Sequence, residues 1–437
     1  MSGFGDKFIC HRRDNTEKCG QYLAGLLHDC KSNIERMSEQ VSGSEYNQLH
    51  HFISESPWDS LGVMDVVAEK VYAKLSATSK DGEIGLLLDE SGWEKSGKKS
   101  VGVSRQYIGQ VGKVANGQVG VFAALSSGED VGLVQGRLYL PLEWSSDSKR
   151  CDKAGVPTEE QVYRSKPELA VEILKTLPAS VGYRWVGGDC IYGNSPVLRE
   201  YLYSKKQSFV MDISSEHGVY LSRPELYIPP RTSTRGREPS RTKCDQKPII
   251  IKDLLKQIPE KDWQTIHHRN GTKGALIRRA TMINVYLWNP THGSTIESVN
   301  LVISTEVDGS EIKFSLCYDA QDQMSLATAL YRQMQRYWVE RAFQNIKVQL
   351  GMHDYQVRTW RAWYHHIALS LMALDFLLEV KHENADDMPL LSVPDIKLFF
   401  AKTLLNKLNS EEALTKAILV RHRKRKNDID RHFKVPK

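Results

Sequence analysis

Residues 84–91, IGLLLDES, and residues 183–193, YRWVGGDCIYG, are two short apolar runs that end in acid. Each has the length and aliphatic or aromatic content of a buried strand rather than of a helix. Between them lie two further β-type runs, SVGVSRQYIG (100–109) and NGQVGVFAAL (116–125). Gly109, Gly112 and the Asn116-Gly117 pair punctuate these, and the pair is expected to turn the chain between two strands. KPELAVEILKTL (166–177) has helical spacing, with Pro167 near its start and Pro178 just beyond its end. After the second acidic run come a helix over SPVLREYLYSKK (195–206) and a strand over SFVMDIS (208–214). Strands followed by helix, strand, helix, strand is an α/β layout with a mixed sheet.

The flanks differ in texture. Residues 1–80 are helical and amphipathic: in SPWDSLGVMDVVAEKVYAKLS (56–76), Val63, Val66, Val67, Val71 and Leu75 recur at helical spacing, with Ser54 or Ser56 as caps before Pro57. Residues 81–213 form the first part of the α/β core. Residues 214–322 read as a β-rich, basic insertion. It begins with a loop rich in Pro, Arg, Ser and Thr (223–248) and continues with strands at 276–288, 297–307 and 311–319. Residues 323–380 return to the core with a long helix from Leu326 to Leu350, stopped by Gly351, and an apolar helix over 359–380. Residues 381–437 end in RHRKRKNDIDRHFKVPK, a basic run expected to be disordered or helical only when bound.

Composition narrows the function classes. The 437 residues are too many for one ordinary core. A hydrophobic fraction of 41% with 26% charged residues describes a globular protein, and a net charge of +6 permits nucleic-acid binding without demanding it. The opening MSGFGDKFICHRRDN carries charges where a secretory signal would be apolar. The most apolar run, HIALSLMALDFLL (366–378), contains Asp375 and is too short to span a bilayer, so no membrane partner is expected. Seven cysteines at irregular spacing fit reduced thiols and a cytoplasmic location. They include no C-x2-C pair for zinc, and the pairs His50-His51, His267-His268 and His365-His366 lack metal-ligand spacing, which makes them core or surface histidines.

Ligands collect at the carboxyl ends of strands in open α/β sheets, so Asp89 and Asp189 can face one crevice. Glu340 lies in the long helix with Arg336 four residues before it and Lys347 seven after it, all on one helical face. Mg²⁺ is a hard ion held by a few carboxylates and substrate phosphate. Two such ions serve phosphodiester chemistry, with Arg336 and Lys347 as phosphate grips. The competing reading is a set of solvated strand-end acids and i,i+4 pairs.

Residues 86–125, VGGDCIYGN (186–194) and the run from Tyr331 to Leu374 together resemble the DDE transposases of bacterial insertion sequences, over about residues 83–380. The resemblance implies an RNase H-like mixed sheet with a β-rich insertion, an N-terminal helical domain and C-terminal helices. It implies catalytic, metal-holding acids at Asp89, Asp189 and Glu340. The first acid is followed by x-Ser (Glu90-Ser91), and the second opens a D-x-x-Y element (Asp189, Tyr192). The third belongs to a Y-x2-R-x3-E-x6-K signature, in which Arg336, Glu340 and Lys347 fill the R, E and K slots and Gln333 stands in the tyrosine slot. Glu90 competes with Asp89 as first ligand. The implied cofactor is Mg²⁺ or Mn²⁺, two ions. The implied partners are double-stranded DNA, as terminal inverted repeats and target, and a second copy of the chain on that DNA.

Basic clusters at Lys95, Lys98, Lys99 and Arg105, at Arg231, Arg235, Arg237, Arg241 and Lys243, and in the tail from Arg421 to Lys426 are phosphate-binding candidates. Tyr337, Trp338 and Trp288 are candidates for stacking on an extruded base, against the alternative that aromatics on a helix pack in the core.

Overall fold

The computed structural model describes residues 3–28, 31–231, 239–271, 274–289, 296–321, 323–388, 390–404 and 411–433. Four helices come first: α1 (Thr16–Leu27), α2 (Ile34–Gln40), α3 (Tyr46–Ser54) and α4 (Ser60–Thr78). In α4, Val63, Val67, Val71 and Leu75 are fully buried, one turn apart, as their spacing predicts. Its cap is Asp59, whose carboxylate accepts the Gly62 N–H at 2.9 Å, rather than either upstream serine.

The sheet begins with β1 (Gly85–Glu94), β2 (Ser104–Ile108), β3 (Lys113–Ser127) and β4 (Asp130–Leu138). The chain turns at residues 109–112, so Asn116-Gly117 lies inside β3. There the Asn116 amide donates to the carbonyls of Lys95 and Gly97, an engagement that holds the pair in extended chain. Next come α5 (Lys166–Thr176), β5 (Trp185–Gly188), the one-turn α6 (Cys190–Gly193), α7 (Pro196–Ser204) and β6 (Ser208–Asp212). A capping box starts α5, with Ser165 and Glu168 exchanging side-chain and backbone hydrogen bonds.

Strands β4, β3, β1, β5 and β6 lie side by side in that order. The first two junctions are antiparallel, and β1–β5 and β5–β6 are parallel. This is the RNase H-like mixed sheet. The β-rich segment adds β7 (Gln264–Gly271), β8 (Gly274–Trp288), β9 (Ile296–Glu306) and β10 (Ile312–Tyr318). These make no separate sheet: β10 pairs antiparallel with β6, Leu316 opposite Met211, and the sheet grows to ten strands.

Helix α8 (Leu326–Gln344) crosses this sheet and widens into a π-helical turn at Asn345–Gln349, which Gly351 ends at φ +60°. Helix α9 (Trp360–Glu383) is buried along most of its length. It ties the N-terminal helices to the core, with Trp58 stacked on His365 at 3.8 Å and the Tyr22 hydroxyl 2.8 Å from His366 Nδ1. Helices α10 (Val393–Thr403) and α11 (Glu411–Phe433) follow. The basic tail is therefore helical over its described part. Arg421 grips both Glu39 oxygens of α2 (2.7 and 2.8 Å) and Lys424 lies over the Tyr46 ring of α3, so contacts within the chain hold this helix without a bound partner. No helix among the described residues is long and apolar enough to cross a membrane.

Candidate active site

Register brings the acids together. Leu88 of β1 lies opposite Gly188 of β5, and Gly188 opposite Met211 of β6. The next residue in each case is an aspartate: Asp212 ends β6, Asp189 follows the end of β5, and Asp89 lies inside β1, which continues to Glu94 instead of ending at the acid, so the three stand side by side where the parallel pairing stops. The α6 turn packs tightly behind them: a Cβ on Gly193 would lie 2.0 Å from the Asp212 carbonyl oxygen.

Asp189 caps α6 by accepting the Ile191 N–H at 2.9 Å, which fixes its carboxylate. Asp89 accepts the Glu90 N–H at 2.7 Å. Among the described residues, the acids close enough to share one ion are Asp89, Glu90 and Asp189, with one oxygen from each within 4.8 Å of the others. Burial, and then the charge of Asp189, push the Asp89 carboxyl up to about 7 against the opposing pull of Arg336. Glu90 is less available, because its Oε1 accepts from Lys166 Nζ at 2.9 Å. Behind these acids the buried Tyr192 phenol is held well above its ordinary pKa by burial and by Glu90, Asp89 and Asp189.

Glu340 is not in that group. Its side chain is 59% exposed and is held by Arg336, Nη2 to Oε1 at 3.0 Å. Arg336 Nη1 donates to Asp212 Oδ2, also at 3.0 Å. The guanidinium that the sequence suggests as a phosphate grip thus pairs with two carboxylates, one hydrogen bond to each. Burial disfavours its charge, but Asp212, Asp89, Asp189 and Glu340 together outweigh burial and raise its pKa. Lys347 sits in the π turn, a departure from the regular helical face its spacing suggests. Its ammonium donates to the Gly92 carbonyl of β1 at 3.4 Å; burial lowers its pKa while Asp89 opposes the shift.

The other candidates spread out. Lys98, Lys99, Arg105 and Arg241 are exposed, and Arg235 and Arg237 lie outside the described residues. Tyr337 and Trp338 stand edge to face at 5.0 Å, with the Arg269 guanidinium of β7 over both rings at 5.1 and 4.8 Å. Tyr337 joins Asp212, Arg336, Glu340, Arg278 and Lys313 in a cleft of about 340 Å³. Trp288 lines a different cleft with Arg199 and His217.

Sequence reasoning missed Asp212, although SFVMDIS is a third apolar run ending in acid, and missed Arg269, whose partners come from α8. It also left Gln333 without a role. Gln333 is buried: its Oε1 accepts from Ser304 Oγ at 2.5 Å and its Nε2 donates to Ser315 Oγ at 2.8 Å.

Comparison with known proteins adds three findings. The family described as DDE superfamily endonuclease matches residues 6–275, a span that holds Asp89, Asp189 and Asp212 and ends before Glu340. A curated relative, the probable transposase for insertion sequence element IS701 of Microchaete diplosiphon, is 32% identical over 179 residues. That alignment covers 40% of this chain and 43% of the relative. Among solved structures, the cryo-EM piggyBac transposase synaptic complex with hairpin DNA aligns over 91% of this chain and 72% of that one, at 12% identity and a TM-score of 0.39.

Proposed function

The chain belongs to the DDE superfamily of endonucleases, and from that premise we propose that it is a DNA transposase acting at the ends of an insertion sequence. Asp89 and Asp189 would hold divalent metal, Mg²⁺ or Mn²⁺, as two ions, with Glu90 as the rival first ligand and Glu340, which Arg336 holds here, as the third acid of the set. The donor set fits such ions, since it is all carboxylate oxygen, the preference of a hard cation. The observation that carries this reading is the adjacent pair Asp89 and Asp189, where burial and then the charge of Asp189 push the Asp89 carboxyl up to about 7. Two like charges held at this spacing behind a buried tyrosine suit a cationic occupant.

The chemistry such ions would supply there is activation of the attacking oxygen and stabilisation of the leaving oxygen of a phosphodiester. The chain's own residues do the rest. Asp189 is oriented by its bond to the Ile191 N–H. Lys347, tethered to β1, supplies positive charge beside Asp89. The Arg269–Tyr337–Trp338 stack offers flat surface beside the Arg336 cleft for an unstacked base. The reaction frees a 3′-OH at the terminal inverted repeat and directs it at target DNA, with two copies of the chain bridging the ends, in the cytoplasm.

Asp189→Asn tests this. Mg²⁺-dependent cleavage of end-bearing DNA is expected to vanish while DNA binding survives, and undiminished cleavage refutes the assignment. Joining of pre-cut ends by the wild type separates a transposase from a nuclease that only hydrolyses.

A further inference from the structure

Asp212 ends the third parallel strand, yet it does not share the Asp89–Asp189 cluster. Both of its oxygens are engaged elsewhere: Oδ2 accepts from Arg336 at 3.0 Å and Oδ1 accepts from Ser315 Oγ at 2.6 Å. Ser315 is itself held by Gln333, and Gln333 by Ser304. Ser304, Ser315 and Gln333 are all buried. The result is a continuous chain in which each donor feeds the next acceptor, from β9 through α8 and β10 to the end of β6. A carboxylate so fully engaged is an anchor, because taking a metal would mean breaking buried hydrogen bonds.

What it anchors is a guanidinium placed to compete with metal. Arg336 already holds Glu340, and it lies near enough to Asp89 and Asp189 for their charges to act on it. Released from Asp212, its planar fork could close on those carboxylates bidentately. We propose that Asp212, braced by Gln333 through Ser315, is a positioning residue that withholds Arg336 from Asp89 and Asp189. This gives the glutamine in the signature's tyrosine slot a structural purpose: it braces the anchor instead of touching phosphate. The inference rests on the metal-site reading of Asp89 and Asp189.

The test titrates the full chain with Mn²⁺ by calorimetry, without DNA. Asp212→Asn keeps the side chain's shape but loses the charge that holds Arg336. Half-saturation is expected to need about tenfold more Mn²⁺ or higher, in the range by which outer-shell changes weaken metal sites. Adding Arg336→Gln to Asp212→Asn removes the competitor and is expected to bring half-saturation back to the wild-type range. A merely structural role would lower the unfolding midpoint and leave half-saturation unmoved; that result, or failure of the second substitution to restore binding, overturns the proposal. Should Asp212→Asn not fold, Ser315→Ala loosens the same anchor and is expected to raise half-saturation, and no change refutes it. Wild-type protein that binds no Mn²⁺, or Asp189→Asn protein that binds it normally, would instead refute the metal site itself.

Discussion

Asp89→Asn is expected to make the metal-free protein more stable while destroying its activity. The substitution preserves shape, and the new amide oxygen can still accept the Glu90 N–H that Asp89 accepts at 2.7 Å. What it removes is a charge the fold resists. Burial and then Asp189 raise the carboxyl from 3.8 to about 7, which at about 1.4 kcal/mol per tenfold amounts to about 4 kcal/mol against the ionised form. In the unfolded chain this acid ionises near pH 4, whereas in the folded chain it keeps its proton until about pH 7. Folded protein therefore binds the extra proton within that window, and stability falls as pH rises through it. The advantage of Asp89→Asn should be about 1 kcal/mol at pH 4.5 and grow to about 4 kcal/mol by pH 8. Urea unfolding in EDTA at a series of pH values measures it directly. Excess Mg²⁺ should close the gap at pH 8, because bound cation stabilises only the folded wild type. A variant no more stable than wild type at pH 8 in EDTA, or a gain independent of pH, would refute the claim that burial and Asp189 together disfavour the ionised Asp89 carboxyl.

Three other perturbations follow from the same geometry. Gly193→Ala places a methyl 2.0 Å from the Asp212 carbonyl oxygen, so a loss of about 3 kcal/mol in urea unfolding is expected from overpacking against backbone; a neutral change would mean that α6 is not tightly seated on β6. Arg199 and Glu297 form a buried pair at 3.0 Å: Arg199→Met should cost about 3–5 kcal/mol by stranding Glu297, and adding Glu297→Leu should recover most of it, which a double-mutant cycle checks. His366 is buried between the Tyr22 hydroxyl and the Met352 carbonyl, and burial lowers its pKa to about 3. The unfolded histidine gains a proton below pH 6.5, so this site's stability is lost as pH falls from there toward 3, by up to about 5 kcal/mol. His366→Gln should flatten that part of the stability profile, and an unchanged acid slope would count against it.

Much of the architecture could be read from short-range pattern. Short apolar runs place strands at Asp89 and before Asp189, because such a run is a local property, although β1 continues past Asp89 to Glu94. The helical spacing of Val63, Val67, Val71 and Leu75 forecasts the buried face of α4 for the same reason. The Asn116-Gly117 pair misled, since a turn propensity of about 1 kcal/mol yields when the Asn amide finds two carbonyls on a neighbouring segment. Lys347 was displaced by a π turn, a local register change that no spacing rule encodes.

The sequence by itself determined the α/β layering and the helix that carries Arg336 and Glu340, because periodicity, strand length and caps act within a few residues. Only the tertiary structure decided which carboxylates meet. The register of β1, β5 and β6 brings Asp89 beside Asp189 and sets Asp212 next to them without sharing their cluster, so that Asp212 pairs instead with Arg336 of a distant helix. Those outcomes depend on electrostatics across 3 Å gaps between residues more than a hundred positions apart, distances that exist only once the sheet has closed.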